Sequence, residues 1–373
     1  MKKLLVLASA LILSLGLSAQ ELGNFVGIRN AVSPEMKDGK LTLRLAAPYA
    51  TRVQLNGGFL ANGAVEMKRN DQGVWEYSLD MPAPELYTYN FVVDGVSVND
   101  PANVLQQRDG TRYLSILIVP GEFTENYFEA NQRGNLTKVW YDSPTLGLNR
   151  RMYVYTPYGY DDAKNKKVKY PVLYLLHGGG GDEDAWSNMG RACQIMDNLI
   201  EKGLAEPMLI VMPNGNANQT AASPLQIANK QGQSQPNAYV KSLAEDIVPY
   251  IESHYRVIAK KSARAVGGLS MGGGHTTAVT GLYPDMFDYI CPMSCGMSDT
   301  PENRAALQGI KKAGYKLYWV GCGDDDFAYP GTQVMDKMLT ELDMPHTMFI
   351  SDGGHTWSNW RYYLNTVGQL LFK

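Results

Sequence analysis

The chain has 373 residues, 45% of them hydrophobic, and a formal net charge of −3. This is enough apolar residue for full cores and suggests two domains, while the slight acidity argues against a nucleic-acid partner, which would call for a basic face. The first twenty residues read as a secretory signal peptide: Met1-Lys2-Lys3, an apolar run from Leu4 to Leu17, then Ser18-Ala19-Gln20. Cleavage after Ala19 or Gln20 takes the net charge from −3 to −5, because residues 1–20 contain two lysines and no acid. No cysteine stands at that junction, which argues against a lipid anchor, and no later run is long enough to span a membrane. The expectation is an exported protein, periplasmic or secreted. Its four cysteines (Cys193, Cys291, Cys295, Cys322) lack metal-ligand spacing and are expected to be buried free thiols. No metal or cofactor is implied.

From about residue 25 to 119 the pattern is all-β. Leu41–Leu45 alternates, as does Val53-Gln54-Leu55 before the turn Asn56-Gly57-Gly58. Val74–Leu79 follows a second turn, and Leu86–Val93 runs into Asp94-Gly95, a strong hairpin signal. Tyr113–Val119 closes the set. Short strands at this spacing predict a β-sandwich over residues 21–119. The polar stretch 120–137 reads as a surface linker.

From Lys138 to Lys373 the grammar changes. Lys138–Asp142 and Arg151–Thr156 read as antiparallel strands. Tyr170–Leu176 and Met208–Met212 are continuous apolar runs, as strands buried on both faces require. Arg191–Lys202 and Leu243–Tyr255 are helical, and further strands fall at Ala263–Val266, Tyr289–Met293, Leu317–Val320 and His346–Ile350. Alternating strands and helices predict an α/β domain with a mostly parallel central sheet.

The chemistry concentrates at the ends of these strands. Gly268-Leu269-Ser270-Met271-Gly272 fits the G-x-S-x-G nucleophile elbow between a strand and a helix. A serine hydroxyl is a poor nucleophile until a base activates it. His355, in Asp352-Gly-Gly-His-Thr-Trp357 after the last strand, is the histidine placed to do so. The orienting acid is expected between the two, and Asp324, Asp325 and Asp326 all follow a strand; spacing alone does not choose among them. His177-Gly178-Gly179-Gly180-Gly181 is an oxyanion-loop signature, with Met271 N–H and Gly179 N–H as the expected donors and Gly178 the second choice in the loop. Trp186, Tyr329, Trp357 and Trp360 are candidates to wall a substrate. The Gln/Asn-rich segment 214–237 is expected to overhang the site.

Two resemblances follow from these residues. Val53–Gly57, Gly73–Tyr77, Tyr89–Gly95 and Asn99-Asp100-Pro101 resemble the immunoglobulin-like N-terminal module of glycogen-branching-type enzymes, a module often classed as carbohydrate-binding. Leu173–Gly178, Val211–Asn214, Glu245–Glu252, Gly268–Gly273, Tyr283–Phe287, Cys322–Asp326 and Gly353–Trp357 resemble the esterase D-like branch of the α/β-hydrolases. That resemblance selects Asp326 as the acid. Signal peptide, sandwich and esterase together look most like exported bacterial feruloyl esterases. The resemblance implies hydrolysis of hydroxycinnamoyl esters on arabinoxylan or on released feruloylated oligosaccharides. Acetyl-xylan esterase, enterochelin-type siderophore esterase and an inert glycan-binding protein are the alternatives. Oligomeric state is open, with a homodimer compatible.

Overall fold

The computed structural model describes residues 31–222, 225, 235 and 237–373. The expected signal peptide and half of the segment expected to overhang the site lie outside the described residues. The chain divides into two compact units, the first formed by residues up to Gln107 with Tyr113–Val119, the second by Arg108–Arg112 with Pro120–Lys373.

The first unit is all-β. Its strands are β1 (Glu35–Lys37), β2 (Lys40–Ala46), β3 (Val53–Gly57), β4 (Val65–Glu66), β5 (Lys68–Arg69), β6 (Val74–Asp80), β7 (Leu86–Val93), β8 (Val96–Val98), β9 (Gln106–Asp109) and β10 (Arg112–Ile118), with Arg108 and Asp109 of β9 and Arg112 of β10 falling in the second unit. One sheet has the order β1-β2-β6-β5, the other β4-β3-β7-β10-β9 with β8 on β7. Alternation decides what is buried: Leu41, Leu43 and Leu45 point inward from β2 and meet Val53, Leu55, Tyr89 and Phe91 in one core. The Asp94-Gly95 turn joins β7 to β8 antiparallel, with both residues at positive φ, as a tight hairpin turn requires. Beneath the surface, Asp100 accepts hydrogen bonds from Ser33 Oγ (2.5 Å), Tyr89 Oη (2.8 Å) and Ala102 N–H (2.9 Å).

The second unit is built on an eight-stranded sheet. Its strands are β11 (Asn135–Ser143), β12 (Leu148–Thr156), β13 (Val172–Leu176), β14 (Leu209–Pro213), β15 (Arg264–Leu269), β16 (Tyr289–Met293), β17 (Leu317–Gly323) and β18 (Thr347–Ser351), in the order β11-β12-β14-β13-β15-β16-β17-β18. β11 with β12 and β12 with β14 pair antiparallel. From β14 through β13, β15, β16 and β17 to β18 each pair is parallel. The strands β13, β14 and β16 are buried at every residue, which is why they read as unbroken apolar runs. The main helices are α1 (Ala192–Glu201), α2 (Val248–His254), α3 (Met271–Leu282), α4 (Pro301–Ala313), α5 (Tyr329–Glu341) and α6 (Trp357–Val367). On α6, Trp360, Tyr363, Leu364 and Val367 recur at helical spacing and form its buried face. The α4 helix has both ends specified locally: Thr300 Oγ1 accepts Asn303 N–H at 3.2 Å, Pro301 opens it, and Gly314 follows it at φ 77°.

The stretch 120–137 differs from its expected role as a linker. It belongs to the second unit, with Tyr127 and Ala130 buried, and from Asn135 it is already strand β11. The polar composition misled because its side chains bind that unit. Asn126 donates to Asn365 Oδ1 at 2.6 Å, and Gly134 N–H donates to Asp197 at 2.8 Å. The four cysteines are free; three are buried, and burial pushes the Cys322 thiol up to about 11. Among the described residues no helix is long and apolar enough to cross a membrane.

Candidate active site

Sheet order decides where the site can form. After β13 the chain places β14 on one side, then returns to place β15 on the other. A crevice opens outside the carboxyl ends of the strands at such a reversal. The β13–β15 register pairs Leu176 with Gly268, so Gly178 and Ser270 each lie two residues beyond that aligned pair. At the far side, Gly323 of β17 pairs with Ser351 of β18, and Asp326 and His355 follow within a few residues.

Ser270 is the turn between β15 and α3, at φ 76° and ψ −105°. A non-glycine residue there is strained, and the surroundings must hold it. They do: Ser270 N–H donates to Met293 O at 2.9 Å, and Gly274 N–H donates to Ser270 O at 2.9 Å. The flanking glycines are required by close approach. A Cβ at Gly268 would sit 2.6 Å from Leu176 O, and one at Gly272 would sit 2.5 Å from the same atom.

His355 Nε2 lies 3.0 Å from Ser270 Oγ, and Nδ1 lies 2.9 and 3.0 Å from the two carboxylate oxygens of Asp326. With Nδ1–H donating to the carboxylate, Nε2 is free to accept the serine proton. The three aspartates divide their work. Asp326 is 3% exposed and takes the imidazole; it also accepts Ala328 N–H at 2.8 Å. Asp324 is exposed and accepts Gly353 N–H at 3.0 Å, while Asp325 N–H donates to Gly353 O at 3.1 Å. These two bonds fasten the histidine loop to the β17 turn. That loop needs Gly353, which stands at φ 89°.

The glycine loop after β13 is held from behind. Trp186 Nε1 donates to Leu176 O at 2.9 Å. His177 is buried; its Nδ1 meets Gly178 O at 2.8 Å, and its Nε2 accepts Gly215 N–H at 2.7 Å. Because Nε2 accepts, the proton is on Nδ1. Burial lowers the pKa of this ring and keeps it neutral. Met271 opens α3, where N–H groups have no acceptor within the helix, and Gly179 lies in the cavity wall.

The cavity has a volume of about 440 Å³ and is lined by Ser270, His355, the run Gly178–Gly181, Asp109, Thr356 and the apolar Met189, Leu269, Phe327, Trp357 and Trp360. Of the four candidate wall aromatics, the structure brings Trp357 and Trp360 to the cavity and leaves two outside it. Trp186 is 1% exposed and packs edge-on against Trp357, so it supports the wall rather than forming it. Tyr329 opens α5 away from the lining, whereas Phe327, two residues earlier, is part of it. Trp360 Nε1 donates to Ser294 Oγ at 2.8 Å, and its ring meets the His355 imidazole edge-on at 4.9 Å.

Sequence reasoning missed the support beneath the loop after β14. Arg150, fully buried, donates to Asn214 O (2.7 Å), Asn216 O (2.8 Å) and Gln219 O (2.9 Å). Glu183 pairs with Arg151 at 2.7 Å and accepts from Asn214 Nδ2 and Ala222 N–H, each at 3.0 Å. Both arginines lie on β12, and no local signal separates a buried arginine from an exposed one.

Comparison with known proteins gives this geometry a family. A model of the Esterase family matches residues 143–368. The chain belongs to the Esterase family. It is 30% identical over 341 residues to an "Endo-1,4-beta-xylanase/feruloyl esterase" of Xylanibacter ruminicola, covering 90% of this chain and 45% of that relative, so it spans less than half of the relative's length. A solved structure of a ferulic acid esterase superposes with a TM-score of 0.54 at 27% identity, over 64% of this chain and 98% of that one. The enterobactin esterase FES of Shigella flexneri aligns over 91% of this chain and 96% of its own, with a TM-score of 0.61; at 15% identity that likeness is one of fold alone. This Esterase-family member therefore has an esterase fold of the α/β-hydrolase type, preceded by an all-β region.

Proposed function

We propose that this chain is a serine carboxylic-ester hydrolase that releases ferulate or a related hydroxycinnamate from plant cell-wall arabinoxylan. The observation that carries the reading is the continuous hydrogen-bonded chain Ser270–His355–Asp326 opening on the cavity. Ser270 Oγ attacks the ester carbonyl while its proton passes to His355 Nε2. Asp326 holds the Nδ1–H tautomer and stabilises the imidazolium. The tetrahedral oxyanion is received by the N–H groups of Met271 and Gly179, each such donor being worth about 3 kcal/mol of barrier. His355 then gives its proton to the leaving alkoxide, and the C–O bond of the ester breaks to leave an acyl-serine. Water, deprotonated by the same imidazole, releases the acid.

A hydroxycinnamoyl group fits the cavity's character: several apolar walls, two of them tryptophans, and room beyond what an acetyl group fills. The relatives named for feruloyl esterase activity support the same acyl class. Export of the enzyme belongs to this proposal and rests on sequence pattern.

The test is release of free ferulate from methyl ferulate and from feruloylated arabinoxylan oligosaccharides. Ser270→Ala is expected to lose about 10⁴-fold or more in kcat. Unchanged turnover in that variant would end the assignment of Ser270 as the nucleophile, and no turnover of any ester by the wild-type chain would favour a glycan-binding role. Turnover of acetylated xylan or a ferric siderophore, with none of the feruloyl esters, would keep the serine chemistry and replace the substrate.

A further inference from the structure

The cavity wall contains one large apolar side chain that its neighbours leave in solvent. Phe327 is 76% exposed, whereas Leu269, Trp360 and Met189 in the same wall are buried. Its ring lies against the imidazole of His355, with centroids 4.2 Å apart and planes inclined at 38°. The position is set in advance. Phe327 sits between Asp326 and Ala328, and Ala328 N–H donates to Asp326 Oδ1 at 2.8 Å while Tyr329 N–H donates to Asp326 O at 2.9 Å. The carboxylate that orients the imidazole thus also fixes the turn that presents the phenyl ring.

The reaction tells which half of the substrate this ring meets. His355 must hand its proton to the leaving alkoxide oxygen, so the alcohol lies beside the imidazole when the ester breaks. An aromatic ring resting on that imidazole, with most of its surface open, borders the alcohol rather than the acyl chain. We propose that Phe327 is a specificity-determining residue for the alcohol, and that it is a stacking platform for the C–H-rich face of a sugar ring. The negative face of the phenyl ring attracts such polarised C–H groups, and the apolar contact area adds to it. Asp109, in the same wall with its carboxylate half-exposed, is an acceptor for hydroxyl donors of that alcohol.

This inference rests on the ester-hydrolase reading above, and the experiment separates the two. kcat/KM is measured for the full chain and its Phe327→Ala, Phe327→Leu and Phe327→Trp variants on two matched ester pairs. The first pair is methyl ferulate and 5-O-feruloyl arabinofuranose; the second is ethyl acetate and an acetylated arabinofuranoside. The Ala and Leu variants are expected to lose about three- to tenfold more on the sugar ester than on its simple partner. The Trp variant should keep the wild-type ratio. An equal loss on both members of a pair, or a Leu variant with the wild-type ratio, would overturn the platform, since apolar bulk or a general effect on the histidine would then suffice. If only the acetyl pair is turned over, the feruloyl reading fails while the sugar ratio still decides the role of Phe327. No turnover of any ester by the wild-type chain would remove both.

Discussion

Two buried aspartates, one in each unit, show how the same side chain takes different work from its surroundings. Asp100 in the first unit and Asp326 in the second are both withdrawn from solvent, 0% and 3% exposed. Asp100 is closed in by a serine, a tyrosine and a backbone N–H, all of which hold their protons at neutral pH. Asp326 spends its bonds on an imidazole and a backbone N–H. That imidazole is half-buried and reaches a serine hydroxyl on a cavity. A buried carboxylate ringed by fixed donors stabilises structure. One aimed at a group that gains and loses a proton beside an opening stabilises a charge that appears during reaction.

The comparison can be broken by exchanging each carboxylate for its amide. The largest effect is expected from Asp326→Asn, which in the proposed mechanism takes away the charge that steadies the imidazolium and favours the wrong tautomer: kcat on a feruloyl ester should drop about 10⁴-fold. Steady-state kinetics with a thermal melt alongside would show activity lost at nearly unchanged stability. If Asp326→Asn kept wild-type kcat, the acid would have to be sought elsewhere. Asp100→Asn should do the reverse. Its amide N–H₂ would face a donor it cannot accept, costing about 2 kcal/mol of stability, with kcat per folded molecule unchanged. A lower melting temperature with intact kcat supports the division, and a specific loss of kcat would contradict it.

An effect confined to acid pH sharpens the view of which buried groups are merely tolerated. His275, one turn into α3, is held at a pKa of about 4, first by burial and then by the nearby His177. Its Nδ1 has no hydrogen-bond partner. Above the unfolded value near 6.5 neither state is protonated and the residue contributes nothing to pH dependence. Between 6.5 and about 4 the unfolded chain binds a proton that the folded chain refuses, so stability is lost as pH falls through that window. The full shift amounts to on the order of 3 kcal/mol. His275→Gln should therefore flatten the acid side of a plot of melting temperature against pH. A slope identical to wild type would show that His275 is not the group responsible.

Much of the architecture was legible because local patterns and burial agreed. The apolar runs that became β13, β14 and β16 could lie only where both faces were covered. The elbow glycines could stand only where two backbones meet. The Asp94-Gly95 turn carried its own conformation. Other features had no local mark. The polar segment from residue 120 looked like a linker because its contacts, such as Asn126 to Asn365, span most of the chain. Tyr329 and Phe327 are both aromatic residues after the same strand, and only the Asp326 turn decides which one reaches the cavity.

What the sequence determined by itself was where the serine turn, the glycine loop and the histidine loop fall relative to the strand ends, because a strained serine turn and a glycine-hinged histidine need particular residues at adjacent positions. What only the tertiary structure decided was which distant groups meet. The strand order puts Gly178 beside Ser270, the β17–β18 register brings Asp326 rather than Asp324 to His355, and the return of the chain lays Phe327 on the imidazole. Those pairings come from hydrogen-bond register and burial between segments far apart in the chain, which no local stretch of residues encodes.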